Sequence, residues 1–133
     1  MARILVDTNV LIDFATENPS WLEWSSTQLA KAIGRLAINP VIYAEFSFHY
    51  ETIEEVETVV AGLELERLAI PYEAAFLAGK AFKRYRGRGG QRSAPLPDFF
   101  IGAHAAVEGL TLLTRDSRRY REYFPRLKMI TPA

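Results

Sequence analysis

Four of the sixteen acidic side chains, Asp7, Glu45, Asp98 and Asp116, stand where a carboxylate can do chemistry rather than solvate a surface. Asp7 directly follows Ile4-Leu5-Val6, and apolar residues resume at Val10, Leu11 and Phe14, at helical spacing. This order predicts a short buried strand, a tight turn and a helix, with Asp7 at the strand's carboxyl end. Asp116 repeats the pattern, following the apolar run 110–113 as Thr114-Arg115-Asp116. Asp98 falls in the first turn of a helix opened by Pro97, and Glu45 shares an i, i+3, i+4, i+7 stripe with Val41, Ala44 and Phe48. Each acid also has a plainer reading. Asp7 or Asn9 can cap a helix, Asp98 can face a helix dipole, and Glu45 can reach solvent or pair with an arginine. Brought together, however, four carboxylates repel strongly unless a cation joins them. The chain has no cysteine, and neither His49 nor His104 is spaced to join the acids. All-oxygen ligation favours Mg²⁺ or Mn²⁺ over zinc. Such ions activate water and stabilise charge on a phosphoryl oxygen, so the chemistry indicated is metal-dependent hydrolysis of a phosphodiester.

Elements must carry these acids to one place. Strands are expected at 3–6, 35–38, 67–70, 110–113 and 128–131, with helices between them. Asn18-Pro19 and Asn39-Pro40 both read as a cap followed by a proline at the first helical position. Thr52 with Glu55 reads as a capping box, and Gly34 as a helix stop. Further helices are expected from Pro71 to about Tyr85, from Pro97 to about Gly109 and from Arg118 to Phe124. Strands alternating with helices argue for an α/β domain around a mostly parallel sheet, whose carboxyl edge is where ligands gather. The length of 133 residues suits one domain, and no repeat or linker divides it.

The formal net charge is zero, but residues 1–79 hold twelve acids and four basic side chains, whereas residues 80–133 hold twelve basic side chains and four acids. That split suits a polyanion bound by the second half, or halves that neutralise each other in the fold. The glycine-rich basic stretch 84–93 places Arg86, Arg88 and Arg92 in a loop, and Arg115 and Arg118 flank Asp116. Fixed arginines there would grip a phosphate backbone, such as that of RNA; a merely solubilising loop is the alternative. It is not a phosphate-binding P-loop, because no Gly-Lys-Ser/Thr follows. The absence of cysteine suits a reducing cytoplasm. No apolar run reaches the ~18 residues of a membrane span, and a strand so close to the N-terminus leaves no room for a signal peptide.

The motifs together resemble PIN-domain ribonucleases, specifically the VapC-like toxins of type II toxin–antitoxin systems. They are Asp7-Thr8-Asn9-Val10-Leu11-Ile12, Glu45, Asp98-Phe99-Phe100-Ile101-Gly102-Ala103-His104-Ala105, Leu112-Leu113-Thr114-Arg115-Asp116 and the ending from Tyr123 to Pro132. The resemblance spans nearly the whole chain. It implies a three-layer α/β/α domain, a Mg²⁺ or Mn²⁺ site and endoribonuclease activity through a metal-activated water. It also implies a homodimer inhibited by a cognate, VapB-like antitoxin. Carried over, Asp7, Glu45, Asp98 and Asp116 match the acidic quartet. Asp7 and Asp98 would hold the main ion, with Glu45 and Asp116 acting through water or a second ion. Thr8 and Thr114 match small hydroxyl positions, and Asn9 a polar support. Two departures are Gly102, where the family often has alanine, and the arginine- and glycine-rich loop. The rivals are a non-catalytic RNA- or partner-binding module and an acid-rich phosphatase of the haloacid-dehalogenase kind. The second needs an acid where Asn9 stands.

Overall fold

Ile4–Val6 is fully buried and forms the central strand β1, with parallel neighbours on both sides. The computed structural model describes residues 2–89 and 96–132; Arg92, assigned above to RNA, lies outside them. After β1 come α1 (Thr8–Ala15), α2 (Leu22–Lys31), β2 (Leu36–Ile38), α3 (Pro40–Ser47) and α4 (Ile53–Gly62). The chain continues through β3 (Glu66–Arg67), α5 (Tyr72–Gly87), α6 (Leu96–Glu108), β4 (Thr111–Leu113), α7 (Arg118–Tyr123) and β5 (Met129–Ile130). The sheet order is β3-β2-β1-β4-β5, and every pairing is parallel. The expected three-layer α/β/α fold is therefore present, with a wholly parallel sheet. Among the described residues no helix is long and apolar enough to cross a membrane.

The order of the sheet decides where a site can form. From β1 the chain steps outward to β2 and β3, then returns past β1 to β4 and β5. The direction of winding reverses between β1 and β4, which opens a crevice at their carboxyl ends. Val6 pairs with Leu113, and the Asp7 N–H donates to the Leu113 carbonyl at 2.9 Å. Asp7 and the Thr114–Asp116 segment thus leave the sheet side by side.

Local signals explain most element starts. Asn39 caps α3 by accepting from the Ile42 N–H at 2.9 Å, with Pro40 at the first helical position. With its oxygen taken, the Asn39 amide Nδ2 donates to His104 Nδ1 at 3.0 Å, tying α3 to the buried face of α6. The Thr52 and Glu55 capping box is complete. Three expectations differ. α2 begins at Leu22 rather than at Pro19, because Asn18 accepts from the Ser20 N–H at 2.9 Å and holds Pro19 in a turn. β3 covers only Glu66–Arg67, both exposed, as suits a charged edge strand. The core face of α3 is Ile42 and Phe46, with the half-buried Val41 packed against that core, so of the stripe Ala44, Glu45 and Phe48 look away from it.

Candidate active site

Three of the four acids reach one cavity from three separate elements. Asp7 comes from the end of β1, Glu45 from the middle of α3, and Asp98 from the first turn of α6. They line a cavity of about 610 Å³ with Thr8, Asn9, Ile12, Ala44, Phe48 and His49. Asp116 lines an adjoining cavity of about 370 Å³ with Arg88, Arg118 and Arg119. The two cavities meet at an ion pair, in which Arg119 donates to Asp98 Oδ2 at 2.8 Å.

Asp7 is the most enclosed of the quartet. Its Oδ2 accepts from Thr114 Oγ1 at 2.8 Å, from the Tyr120 hydroxyl at 2.9 Å and, at the limit of reach, from Asn9 Nδ2 at 3.5 Å. These side-chain donors all fall on one oxygen, which leaves Oδ1 as the oxygen for a ligand. Burial, and then the charge of Asp98, pushes the Asp7 carboxyl up to about 7, against the pull of its hydrogen bonds. Asp98 is also raised, by burial first and further by Glu45 and Asp116, with Arg119 opposing. The Tyr120 phenol is held far above its ordinary range by burial and by Asp7, so it remains a donor.

The supporting residues are fixed in turn. Thr8 Oγ1 donates to Glu45 Oε1 at 2.7 Å, orienting the half-buried Glu45. Thr114 Oγ1 also accepts from the Asp116 N–H at 3.1 Å and from Asn9 Nδ2 at 3.4 Å, and Asn9 Oδ1 accepts from the Arg115 N–H at 3.4 Å. Thr8, Asn9 and Thr114 therefore all touch the acids or the loop that carries them.

The arginines divide. Arg118 is exposed beside Asp116, and Arg88 shares that cavity while pairing with Glu122 at 2.9 Å. Arg86, expected in a loop, lies instead in the last turn of α5, which runs on to Gly87, and stacks over the Phe82 ring at 5.9 Å. Arg115 is committed elsewhere: Nε meets Asp13 Oδ2 at 2.6 Å, and the second fork nitrogen meets Asp13 Oδ1 at 3.2 Å. Its guanidinium also covers the Trp21 ring at 5.5 Å. Asp13, Arg119 and Tyr120 escaped the sequence reading. The signal for Asp13 was an acid inside the apolar run of α1, one turn after Asn9. Arg119 and Tyr120 follow Asp116 by three and four residues, but only the fold shows that they turn back toward Asp98 and Asp7.

The donor set suits a hard divalent cation: carboxylate oxygens and small hydroxyls, with no thiolate. Asp7 and Asp98, raised chiefly by burial, would ionise more readily beside a cation. Among the described residues no three acidic or histidine side chains already converge closely enough to hold one ion, and Arg119 supplies the counter-charge to Asp98.

Comparison with known proteins bears on the fold and the family. A family model for the PIN domain matches residues 4–124. The DNA-bound VapBC of Salmonella typhimurium superposes with a TM-score of 0.72 at 23% identity, over 98% of both chains. VapBC2 of Rickettsia felis, bound to a promoter DNA fragment, gives 0.70 at 19%, over 98% of both. FitAcB of Neisseria gonorrhoeae gives 0.67 at 18%, over 96% of both. At such identities the likeness concerns the fold. A search of curated proteins by sequence finds no significant match.

Proposed function

Since this chain belongs to the PIN domain family, we propose that it is a metal-dependent endoribonuclease toxin, held in check by a cognate antitoxin. The observation that carries this reading is the meeting of Asp7, Glu45 and Asp98, from β1, α3 and α6, in one cavity at the switch point of the sheet. Asp7 through Oδ1, together with Asp98, would hold the main Mg²⁺ or Mn²⁺ ion, and Glu45 and Asp116 would act through water or a second ion. When bound, such an ion supplies water activation and charge neutralisation at a phosphoryl oxygen.

The chain's own residues do the rest. Thr114 and Tyr120 fix Asp7, and Thr8 fixes Glu45, so the carboxylates are aligned before substrate arrives. Arg118 and Arg88 lie beside Asp116, where the RNA backbone would enter. Arg119, which pairs with Asp98, would be free to face the scissile phosphate once an ion neutralised that carboxylate. Arg115, paired with Asp13, would serve as an anchor for the loop rather than as an RNA contact.

The partners follow from the relatives, whose structures are described as VapBC and FitAB complexes and, in one case, as a toxin–antitoxin complex from Klebsiella pneumoniae. A VapB-like antitoxin would cover the groove, and a homodimer would bury apolar side chains such as Tyr72 and Phe76, both exposed here. The setting proposed is the cytoplasm. A second reading, RNA binding without cutting, draws on the Arg119–Asp98 pair, which already neutralises one acid.

The test is cleavage of a structured RNA by the purified chain in Mg²⁺ or Mn²⁺, against EDTA and beside Asp98→Asn. Metal-dependent cutting that falls by at least about 10²-fold in the variant is expected. Equal cutting by the variant would remove Asp98 from the chemistry. Metal-independent RNA binding with no turnover would favour the second reading.

A further inference from the structure

Phe48 is 87% exposed, yet it lines the same cavity as Asp7, Glu45 and Asp98. It stands at the end of α3, three residues past Glu45, where the Phe48 N–H still donates to the Glu45 carbonyl at 3.3 Å. Residues three apart on a helix lie one above the other, ~5–6 Å between Cβ atoms, a step that one nucleotide can bridge. His49 follows and meets the Phe48 ring edge to face, with centroids 5.7 Å apart and planes at 85°. The cavity thus has an anionic floor and an aromatic rim on its α3 side, next to the cationic rim of Arg88, Arg118 and Arg119. Exposure alone does not distinguish Phe48, since Tyr72 and Phe76 are exposed too; its place on the rim of the acid-lined cavity does, where an incoming ligand would cover the ring.

We infer that Phe48, with His49 beside it, is a stacking platform for an unpaired nucleobase of the RNA, adjacent to the scissile phosphate. This inference rests on the nuclease reading and sharpens it. The occupant is a base rather than a protein side chain because the pocket is chemically two-sided. A polyanion whose phosphates meet the arginine rim and the ion-holding acids presents its bases on the other side, where the aromatic rim lies. Single-stranded nucleic acid is recognised in this way, by bases splayed onto aromatic faces and a backbone held by arginines. A base inside a duplex is already stacked on both faces, so the platform selects unpaired nucleotides. It is tolerant of base identity, because every base has a π face.

The experiment uses a short single-stranded RNA carrying 2-aminopurine, whose fluorescence is quenched by stacking, with the full chain in Ca²⁺ as an oxygen-preferring, non-activating stand-in. Cleavage of the unlabelled RNA in Mg²⁺ is measured alongside. Expected are quenching with the wild type, its loss with about ten-fold weaker binding in Phe48→Ala, and its recovery in Phe48→Trp but not in Phe48→Leu. In cleavage, Phe48→Ala should raise KM far more than it lowers kcat. A duplex carrying the same base should show no quenching. Quenching without cleavage would retain the platform and overturn the nuclease reading; cleavage without Phe48-dependent quenching would do the reverse. Full recovery in Phe48→Leu would show an apolar contact instead of stacking. Conversion of a dimer to a monomer by Phe48→Ala, seen by sedimentation, would assign the residue to an interface between copies. Either result overturns the inference.

Discussion

Asp7 is the buried, raised carboxyl at the centre of the proposed site. Folding moves it from an ordinary value of 3.8 to about 7, through burial and the charge of Asp98. Between these values the folded chain holds a proton that the unfolded chain has released, so metal-free stability falls as pH rises from about 4 to about 7. The loss should be on the order of 4 kcal/mol in urea titrations of the wild type and much smaller in Asp7→Asn, where only the raised Asp98 still contributes. An unchanged pH slope in Asp7→Asn would assign the effect to another group. Tyr120→Phe removes a donor that favours the ionised form, so the window should extend to higher pH. A divalent cation displaces the proton, so metal affinity should strengthen as pH rises through about 7. Gly102 lies beneath the rings of Phe124 and Tyr120. A Cβ there would stand 2.5 and 2.6 Å from the Phe124 ring and 3.0 Å from Tyr120, so only glycine lets α7 lie against α6. Gly102→Ala should cost about 1–3 kcal/mol, read by denaturation, and should weaken metal binding through Tyr120. An alanine variant as stable and active as the wild type would show that the aromatic pair moves aside at no cost.

The elements hold the site by a few ties that cross the sequence. The loop bearing Asp116 is pinned through Thr114, through the Arg115 backbone and through the Arg115 side chain on Asp13. Asp13 is 0% exposed and also accepts from Ser25 at 3.0 Å and Asn18 at 3.2 Å, so α1, α2 and this loop share one buried anion. Arg115→Ala would leave that anion unpaired at a cost of roughly 3 kcal/mol. The double variant with Asp13→Ala should lose less than the sum of the two single changes. Cleavage should fall with Arg115→Ala because Asp116 loses its anchor, whereas strict additivity in denaturation would mean that the pair does not couple. Some of this architecture was legible in advance. Asn39-Pro40 and the Thr52/Glu55 box are local chemistry and mark their helices correctly. The start of α2 was not, because Asn18 spends its side chain on Ser20 and Asp13 instead of on a helix. The stripe of Val41, Ala44 and Phe48 divided, since Val41 packs on the core whereas Ala44 and Phe48 line the cavity, and both share the spacing of a core face.

For the whole molecule, the winding reversal between β1 and β4 turns scattered residues into a site. The acids themselves were legible, because each follows an apolar strand, opens a helix or interrupts an apolar stripe. Their meeting was not, since strand order depends on pairing between distant segments such as Val6 and Leu113. Tyr120 and Arg119 were hidden for the same reason: a short basic helix carries no sign of what it turns back upon. The sheet thus brings together a buried, proton-retaining carboxyl at Asp7, a pair already neutralised at Asp98 and an exposed acid at Asp116. The proposed function stands on these charges accepting a cation. The most direct measurement is the position of Mn²⁺ located by its anomalous scattering in crystals of the wild-type chain. The expected result is a peak within ligand distance of Asp7 Oδ1 and the Asp98 carboxylate, with Arg119 moved off Asp98. An intact Arg119–Asp98 pair with no peak beside Asp7 at saturating Mn²⁺ would contradict the metal site and the hydrolysis built on it.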